Sequence, residues 1–311
     1  MEDFLDAIVD TLELFPKGLV YVVLGIVVVL IAKVVQDLIT RYSINQQVTG
    51  ENNVALGLSM AGYYLGVIFV FVAALYQPLT VVRDDDWKPT GSEYWGDVLE
   101  VTLYALAGIV VLNAARIVVD RLILHSFDTE KEIIEDQNVG TGAVEFGVYL
   151  ATGLVIAGSI AGTGSTEAAG GEVSNLDAAL RSLAFLGLGT VVLVLYGVFY
   201  QFTTSYDIHL EIEQKNTAVG VALAGNMIAI GLVTFKAVFG EFAGWPESLA
   251  GFLTFAVLGF VLLFLVRRVT DLVLLPGVRL QDELAVDRNL GVAFIVSAVV
   301  ISSALILYVA I

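Results

Sequence analysis

The chain has 311 residues, 58% of them hydrophobic, and a mean hydropathy of +0.86, which excludes an ordinary soluble domain of this size. Its net charge of −17 is spread over every loop, so the loops would repel nucleic acid, and they could attract cations. The simpler interpretation of this charge is a protein from a high-salt cell, a halophile, whose acidic surface stays hydrated. The absence of cysteine excludes disulfides, thiol catalysis and thiolate metal sites.

An acidic amphipathic helix is predicted at the start of the chain, over residues 1–17. Apolar residues recur on one helical face, and acidic residues lie on the other. We expect this helix to lie at the membrane interface or on another subunit. No signal peptide is predicted, because residues 2–13 are acidic where a basic region should stand.

Eight apolar stretches are long enough to cross a hydrocarbon core of roughly 30 Å. They lie near residues 18–40, 53–76, 96–124, 138–162, 178–203, 216–240, 247–275 and 289–311. Backbone polar groups in lipid must be satisfied within the segment, and unbroken apolar runs argue against a membrane barrel. The predicted fold class is therefore an all-α polytopic membrane protein with eight transmembrane helices.

Every second span begins with an asparagine that is followed by small residues at fixed positions. The four asparagines are Asn53, Asn138, Asn216 and Asn289. Small residues stand at the second position after each asparagine (Ala55, Gly140, Ala218, Gly291), the fourth (Gly57, Gly142, Gly220, Ala293), the ninth (Gly62, Gly147, Gly225, Ala298) and the thirteenth (Gly66, Ala151, Ala229, Ser302). The chain is therefore predicted to contain four helical hairpins as parallel repeats, either in a ring or as two bundles side by side.

Charges near the ends of the preceding spans divide the four repeats into two pairs. Arg116 and Arg267 both lie 22 residues before a repeat asparagine, and Asp120 and Asp271 both lie 18 residues before it. Two tandem four-helix modules are therefore predicted. The predicted domains are an N-terminal helix over 1–17, a first module over 18–162, a flexible linker over 163–177 and a second module over 178–311.

The distribution of lysine and arginine predicts how the chain is oriented in a plasma membrane. Ten of these residues lie near the span ends on the side of the repeat asparagines, and five lie on the other side. The positive-inside rule then puts the repeat loops in the cytoplasm and both termini outside. Trp87, Trp95 and Trp245 all fall on the outer side, where an aromatic belt is expected.

Two interpretations apply to the conserved pattern within the four repeats of this chain. The small residues at the second, ninth and thirteenth positions share one helix face, which favours close helix packing, whereas a pore wall is the alternative. The asparagines stand at the predicted helix starts just after acidic residues, which favours helix capping. A cytoplasmic ring of four asparagines that coordinates an ion is the alternative.

Charged residues within the spans form a candidate polar site. These residues are Glu145, Arg116, Asp120, Arg267 and Asp271. Glu145 lies seven residues into its span, roughly 10 Å below the interface, and an intramembrane carboxylate suggests a functional role. Arg116 lies at a comparable depth and offers a structural ion pair instead, so both roles stay open. Asn113 and Asn226 are expected to form interhelical hydrogen bonds.

No pattern in the sequence indicates an enzyme, a cofactor or a metal site. The histidines His125 and His209 lie in different loops, and neither has metal-ligand spacing around it. No catalytic residue is therefore predicted. The expected partners are the lipid bilayer and either a second copy of the chain or a cytoplasmic protein.

Two stretches of the sequence resemble the membrane family labelled domain of unknown function 350. The first is Glu51-Asn52-Asn53-Val54-Ala55-Leu56-Gly57 with Ala61-Gly62 and Gly66, and the second is Glu211-Ile212-Glu213-Gln214-Lys215-Asn216-Thr217-Ala218 with Gly220 and Ala224-Gly225. The second and fourth repeats depart from the pattern, with Phe146 and Ser297 where the others have alanine. The resemblance implies small prokaryotic modules of about four spans and a membrane location, without an established activity.

Two hypotheses of function follow from these observations. The first is a non-enzymatic membrane module that binds partners or organises the bilayer in an envelope stress system. The second is an ion channel or small-ion transporter that uses Glu145 and the charged pairs of the third and seventh spans. The sparse intramembrane charge and the small-residue faces favour the first hypothesis.

Overall fold

A computed structural model describes residues 2–81, 92–123, 128–162, 175–240, 242–274 and 277–310. These residues form helices and connecting turns, with no strand in the described ranges. The helices are α1 (Glu2–Ile39), α2 (Val54–Val81), α3 (Ser92–Ile123), α4 (Thr129–Ile134), α5 (Val139–Ala161), α6 (Asn175–Thr203), α7 (Ile208–Glu213), α8 (Thr217–Val238), α9 (Trp245–Val269), α10 (Leu280–Ala285) and α11 (Leu290–Ala310). Two π-helical segments, Gln46–Gly50 and Thr270–Leu274, complete the described secondary structure.

Eight of the described helices are long and apolar enough to cross a membrane. The predicted class, an all-α polytopic membrane protein, is confirmed, and the helix bounds lie close to the predicted spans. The main difference concerns the N-terminal segment, because α1 continues from Glu2 to Ile39 with Pro16 inside it. The interfacial position of residues 1–17 stays a prediction, and the side chains of residues 1–14 lie outside the described part of the structure.

Four of the long helices follow the repeat asparagines, and we call α2, α5, α8 and α11 the repeat helices. They pack side by side in chain order, with α2 on α5, α5 on α8 and α8 on α11. Within the described residues α2 and α11 do not pack against each other. The repeat helices therefore form an open row and not the ring that was one predicted arrangement; the side-by-side arrangement of two modules stays a prediction.

The other four long helices, α1, α3, α6 and α9, cover the row, and we call them the flanking helices. α3 lies against α2 and α5, α6 against α5 and α8, and α9 against α8 and α11. Each of these three therefore covers the groove between two successive repeat helices. α1 differs, because it lies against α2 and α3 and contacts a single repeat helix.

Burial within the spans shows which helices face the lipid. In the span of α5, 89% of the residues are buried, compared with 22% in the spans of α1 and α9. The apolar side chains of α5 contribute to both hydrophobic clusters of the core, one formed mainly with α1, α2 and α3 and the other with α6, α8, α9 and α11. α5 is thus the centre of the packed interior, and the flanking helices present much of the apolar surface to the bilayer.

Candidate functional site

The repeat asparagines form a layer of helix caps at the N-terminal ends of the repeat helices. In each repeat the side-chain oxygen Oδ1 accepts a hydrogen bond from a backbone N–H in the first helical turn. The pairs are Leu56 N to Asn53 at 3.0 Å, Gly140 N to Asn138 at 3.0 Å, Val219 N to Asn216 at 3.3 Å and Val292 N to Asn289 at 3.2 Å. Each contact satisfies one of the backbone donors that a helix start leaves unpaired.

Each repeat asparagine also ends the short helical segment before it. The backbone N–H of Asn138, for example, donates to the Glu132 carbonyl at 2.8 Å, which closes the end of α4. The residue before each asparagine has a left-handed φ angle, a conformation that non-glycine residues seldom adopt. These residues are Asn52 (53°), Gln137 (47°), Lys215 (61°) and Arg288 (50°). This feature has no signal in the sequence, because the four residues share no common side-chain type.

The side-chain amide nitrogen of the asparagines links one repeat to the next. Nδ2 of Asn53 donates to the Ile133 carbonyl at 2.8 Å, and Nδ2 of Asn138 donates to the Ile212 carbonyl at 2.6 Å. Asn216 makes the equivalent bond to the Leu284 carbonyl at 2.9 Å. Each of these acceptors lies in the short helix that precedes the next repeat helix. The asparagines therefore join neighbouring repeats as well as capping their own helices.

The same nitrogen makes a second hydrogen bond inside its own repeat. The acceptors are the side chains of Gln47, Glu132, Glu211 and Glu283 for the first to fourth repeat, at 2.7 to 2.9 Å. Asn289 makes this internal bond, but no described residue accepts its other amide hydrogen. It is also exposed, whereas Asn53, Asn138 and Asn216 are buried.

Basic residues at the left-handed positions strengthen two of the links between repeats. Lys215 Nζ donates to the Asp136 carbonyl at 2.9 Å and lies 3.3 Å from the Asp136 carboxylate. Arg288 donates to the carbonyl of Gln214 at 3.2 Å. Lys215 and Arg288 each stand directly before a repeat asparagine, and each contacts the residue two positions before the previous repeat asparagine. The cap layer therefore keeps a constant register along the row.

Below the caps, the repeat helices meet at their backbones. A Cβ atom at Gly142 would overlap the backbone of Ala55, and one at Gly220 would overlap the backbone of Gly140. Further along the same helices, a Cβ atom on the glycine would also overlap the facing residue in a second set of pairs. These pairs are Gly62 with Phe146, Gly147 with Ala224, and Gly225 with Ser297. The glycines named from the repeat pattern thus lie at helix crossings, where small residues permit close approach in lipid.

The remaining three glycines of the pattern differ from one another, and only Gly66 lies in a helix crossing. Gly66 faces the Tyr149 carbonyl, where a Cβ would come within 2.8 Å. Gly57 has no neighbour within 4 Å of its Cβ position, and Gly291 has only the Asn289 side chain, at 3.4 Å. The glycines at the two ends of the row are therefore free of helix contacts within the described structure.

Glu145 lies between the first two repeat helices, 1% exposed. Its Oε2 accepts a hydrogen bond from the Ser59 hydroxyl of α2. The side chains of Arg116 and Asp120, its predicted neighbours, lie outside the described part of the structure. Glu145 is thus a buried carboxylate hydrogen-bonded across a helix interface, an arrangement that suits interhelical attachment.

Asn113 and Asn226 form hydrogen bonds between helices, as predicted from the sequence. Asn113 of α3 accepts from Gln36 Nε2 of α1 at 2.9 Å, and its amide donates to the Tyr63 hydroxyl of α2 at 2.9 Å. Tyr196 of α6 donates to the side-chain oxygen of Asn226 on α8 at 2.8 Å. Each contact satisfies polar groups that would be costly in hydrocarbon.

The charged pairs near the ends of the flanking helices differ from each other. Lys33 and Asp37 form an ion pair at 3.6 Å on α1. Arg267 is instead packed over the Tyr200 ring, 4.7 Å from its centroid, and no ion pair joins it to Asp271 among the described residues. Asp271 accepts from the Leu280 N–H at 2.8 Å. The α-helical spacing predicts both charges on one face, whereas in the structure Asp271 lies in a π-helical segment and binds the N–H at the start of α10.

Arg267 is the least satisfied polar residue of the described spans. It is 8% exposed, and neither Nη1 nor Nη2 has a hydrogen-bond acceptor in the described residues. The neighbouring Tyr206 hydroxyl, in the loop after α6, is buried as well. Burial raises the pKa of Tyr206 above its ordinary value, an effect that the nearby Tyr200 increases and the Arg267 charge partly offsets.

Eight apolar helices, with close packing and hydrogen bonds between them, define a multi-pass α-helical membrane protein whose partner is the lipid bilayer. The chain belongs to the family described as Domain of Unknown Function (DUF350), whose model matches residues 10–160 and 174–311. The resemblance carried by the repeat asparagines is therefore confirmed. Two matched segments also agree with two tandem modules, although the predicted module boundaries stay a prediction.

A bacterial relative is also described as a transmembrane protein. The chain is similar to a UPF0719 transmembrane protein of Aquifex aeolicus (strain VF5), with 25% identity over 264 residues. The match covers 85% of this chain and 88% of that protein. No solved structure matches the chain.

Proposed function

We propose that this protein is a non-enzymatic membrane scaffold, a packed helical module that binds partner proteins or organises the surrounding bilayer. The main support is the use made of its buried polar groups, which form hydrogen bonds between helices. Small-residue contacts and interhelical hydrogen bonds are the principal means by which helices associate in lipid. The envelope stress system suggested for this role stays a prediction.

The position of these polar groups favours a structural role. Glu145 is bonded to Ser59, Asn113 to Gln36 and Tyr63, and Tyr196 to Asn226, each across a helix interface. A transport path requires polar groups that face a route through the membrane and can exchange ligands. Groups that bind each other between tightly packed helices are better suited to hold an assembly in one conformation.

An ion channel or small-ion transporter is the second candidate, and Arg267 is the observation that favours it. A buried cation without hydrogen-bond acceptors costs several kcal/mol, even allowing for relaxation of its surroundings. Stacking on the Tyr200 ring offsets part of this cost. Charges retained inside a membrane protein at such a cost are commonly functional.

Ion flux in proteoliposomes at high salt separates the two candidates. The wild-type protein is compared with Glu145→Gln, which removes the charge, and with Arg267→Gln, which removes the unsatisfied cation. Under the scaffold proposal the wild-type flux equals that of protein-free liposomes. Both variants should leave it there, because neither residue lies on an ion path.

Thermal unfolding of the same samples provides the control. Ser59→Ala keeps the Glu145 charge and removes its hydrogen-bond donor, so we expect a loss of about 1 kcal/mol in the free energy of unfolding. Glu145→Gln should also alter stability, since the carboxylate lies at the same interface. Wild-type flux that is lost in Glu145→Gln, with the fold retained, would contradict the scaffold proposal and establish transport.

A further inference from the structure

The three interfaces between successive repeat helices share one register. The outgoing face of a repeat helix carries the small residues at the second and ninth positions after its asparagine. The incoming face of the next helix carries the residues at the fourth and eighth positions. The observed pairs are Ala55 with Gly142 and Gly140 with Gly220 (second with fourth), and Gly62 with Phe146, Gly147 with Ala224 and Gly225 with Ser297 (ninth with eighth).

These two faces lie on different sides of a helix. At 3.6 residues per turn, the outgoing and incoming positions are separated by roughly 130° around the helix axis. A contact between two different surfaces is heterologous, and it repeats indefinitely unless its geometry closes a ring. Four repeats do not close in this chain, because α2 and α11 do not pack together in the described structure. One outgoing face and one incoming face therefore remain uncovered.

The uncovered outgoing face belongs to α11 and keeps the small residues of the interface. Gly291, Ala298 and Ser302 occupy its second, ninth and thirteenth positions, and all three are exposed. In the other three repeats the residues at these positions are buried against the next repeat helix. Nothing within the described chain packs on this face of α11 closely enough to require small residues.

The uncovered incoming face belongs to α2. Gly57 stands at its fourth position with no atom within 4 Å of its Cβ position, and Ala61 at its eighth position is only partly buried. The equivalent residues Gly142 and Gly220 are buried in helix crossings. α1 also differs from the other flanking helices, because each of those packs against two repeat helices and α1 packs against one.

The cap layer provides an independent observation at the same two ends. Asn289 has an amide hydrogen with no acceptor among the described residues, whereas the first three asparagines donate to a carbonyl of the next repeat. Those carbonyls belong to residues four or five positions before the next asparagine. In the first repeat the matching carbonyl is that of Val48, whose side chain is only partly buried although Ile133 and Leu284 are fully buried.

We propose that a second copy of this chain binds by its α2 face to the α11 face of the first, so that copies assemble head to tail in the membrane. Gly291 would then contact Gly57 of the next copy, and Ala298 would contact Ala61. Asn289 would donate to the Val48 carbonyl. This inference names one partner of the proposed scaffold and rests on that proposal for its biological meaning.

A second copy fits these faces because they are the two halves of an interface that the chain already forms three times. All repeat helices start in the cap layer and run in the same direction, so two copies can make this contact with the same orientation in the bilayer. Ile68 replaces the small residue found at the fifteenth position of the other incoming faces. The contact between copies is therefore closest near the caps and opens toward the other end of the helices.

Disulfide crosslinking in native membranes tests this assembly, and the chain is suited to it because it contains no cysteine. Ala61→Cys and Ala298→Cys are placed on two differently tagged copies that are expressed together. In the internal interface a Cβ at Gly147 would lie 2.9 Å from the Ala224 Cβ, so cysteines at the corresponding positions approach the separation that a disulfide requires. Oxidation should give a mixed-tag product of twice the 33.3 kDa chain mass.

Single-site pairs decide the geometry of the contact. Ala61→Cys with itself and Ala298→Cys with itself should give no product, because a heterologous contact does not bring identical positions together. Strong self-crosslinking at either site would indicate a two-fold interface and overturn the proposal. Absence of the mixed product in membranes that contain both variants would overturn it as well.

A glycine substitution provides a matched control that leaves the monomer intact. Gly57→Leu fills the proposed contact, and Gly251→Leu adds the same side chain to α9, where the Cβ position is equally open. Gly57→Leu should reduce the mixed product by about tenfold, because a leucine would overlap the backbone of the facing helix. Gly251→Leu should not change it, and equal loss in both variants would contradict the assigned interface.

The crosslinking and flux experiments fail independently. Absence of the mixed product would exclude head-to-tail assembly and leave a scaffold for other partners. Wild-type ion flux that depends on Glu145 would exclude the scaffold role, whether or not the copies crosslink.

Discussion

At the scale of single residues, each repeat asparagine ends one helix, starts another and, in the first three repeats, binds the next repeat. Its backbone N–H closes the preceding segment, its Oδ1 caps the repeat helix, and its Nδ2 donates across the interface. Asparagine can do all three because its side chain carries both an acceptor and two donors. Aspartate could cap but could not donate, and serine is too short to make both contacts.

Substitution of Asn138 should therefore destabilise the protein more than the same substitution at Asn289. Asn138→Ala removes a cap and leaves the buried Ile212 carbonyl without its donor, which together should cost about 2–4 kcal/mol. Asn289→Ala removes a cap at an exposed site and should cost about 1 kcal/mol in the monomer. Denaturant unfolding of the two purified variants in mild detergent measures the difference, and equal losses would show that the bond between repeats contributes nothing.

Arg267 and Asp271 show that the spacing of two charges does not by itself determine their partners. Residues four apart share a face of an α-helix. Asp271 accepts from the N–H of Leu280 and Arg267 lies on the Tyr200 ring, whereas Lys33 and Asp37 of α1 form an ion pair at the same spacing. Nothing in the spacing of the two charges indicates this difference.

At the scale of helices, the row is held by contacts between backbones. α5 contacts α2 through Gly142 and α8 through Gly147, on different sides. Close approach of helices increases dispersion contacts along their length, which is the main attraction available in lipid. The fourth position of the repeat offers a matched comparison, since Gly142 lies in a helix crossing and Gly57 lies at the open end of the row.

Gly142→Ala should destabilise the protein by about 1–3 kcal/mol, because the added methyl group overlaps the backbone of Ala55 and forces the helices apart. Gly57→Ala should change the free energy of unfolding of the monomer by no more than about 0.5 kcal/mol, since its Cβ position is empty. The two variants are compared by thermal melting in detergent under dissociating conditions. Similar melting temperatures would contradict the assignment of Gly142 to a tight helix crossing.

At the scale of the whole molecule, the repeats make an open row with two unlike ends. The flanking helices face the lipid, and the caps lie in one layer. The same interface between successive repeat helices occurs three times along the row from α2 to α11. An open row of this kind can grow by addition of identical copies, as solenoid proteins grow by addition of repeats. This property separates the molecule from a closed bundle, in which every interface is internal.

The predicted orientation of this row in the membrane is open to a direct test, which again uses the absence of cysteine. Asn45→Cys lies on the side of the caps, and Glu247→Cys lies at the start of α9 on the opposite side; both sites are exposed. In intact cells a membrane-impermeant maleimide should label Glu247→Cys alone, because the basic residues favour a cytoplasmic cap layer. Asn45→Cys should become reactive after permeabilisation, and the reverse pattern would place the caps outside.

The sequence alone was sufficient for the membrane class, the number of spans, the family and the position of the repeated motif. These features depend on local composition and on spacing along the chain, so each span carries its own signal. The apolar runs predicted α5 and α8 to within two residues at each end, and the asparagines marked the repeat helix starts. The small residues likewise indicated close packing without showing which helices meet.

Only the tertiary structure decided which surfaces pair and which remain uncovered. The same glycine lies in a helix crossing at position 142 and in open space at position 57, although both stand four residues after an asparagine. The bond from Asn138 to Ile212 joins residues 74 apart, and no local pattern specifies such a partner. A row and a ring need the same small residues on the same helices. Whether the repeats close depends on the angle between the two contact faces of each repeat helix. Three-dimensional packing sets that angle, and in this chain it leaves α2 and α11 as open ends.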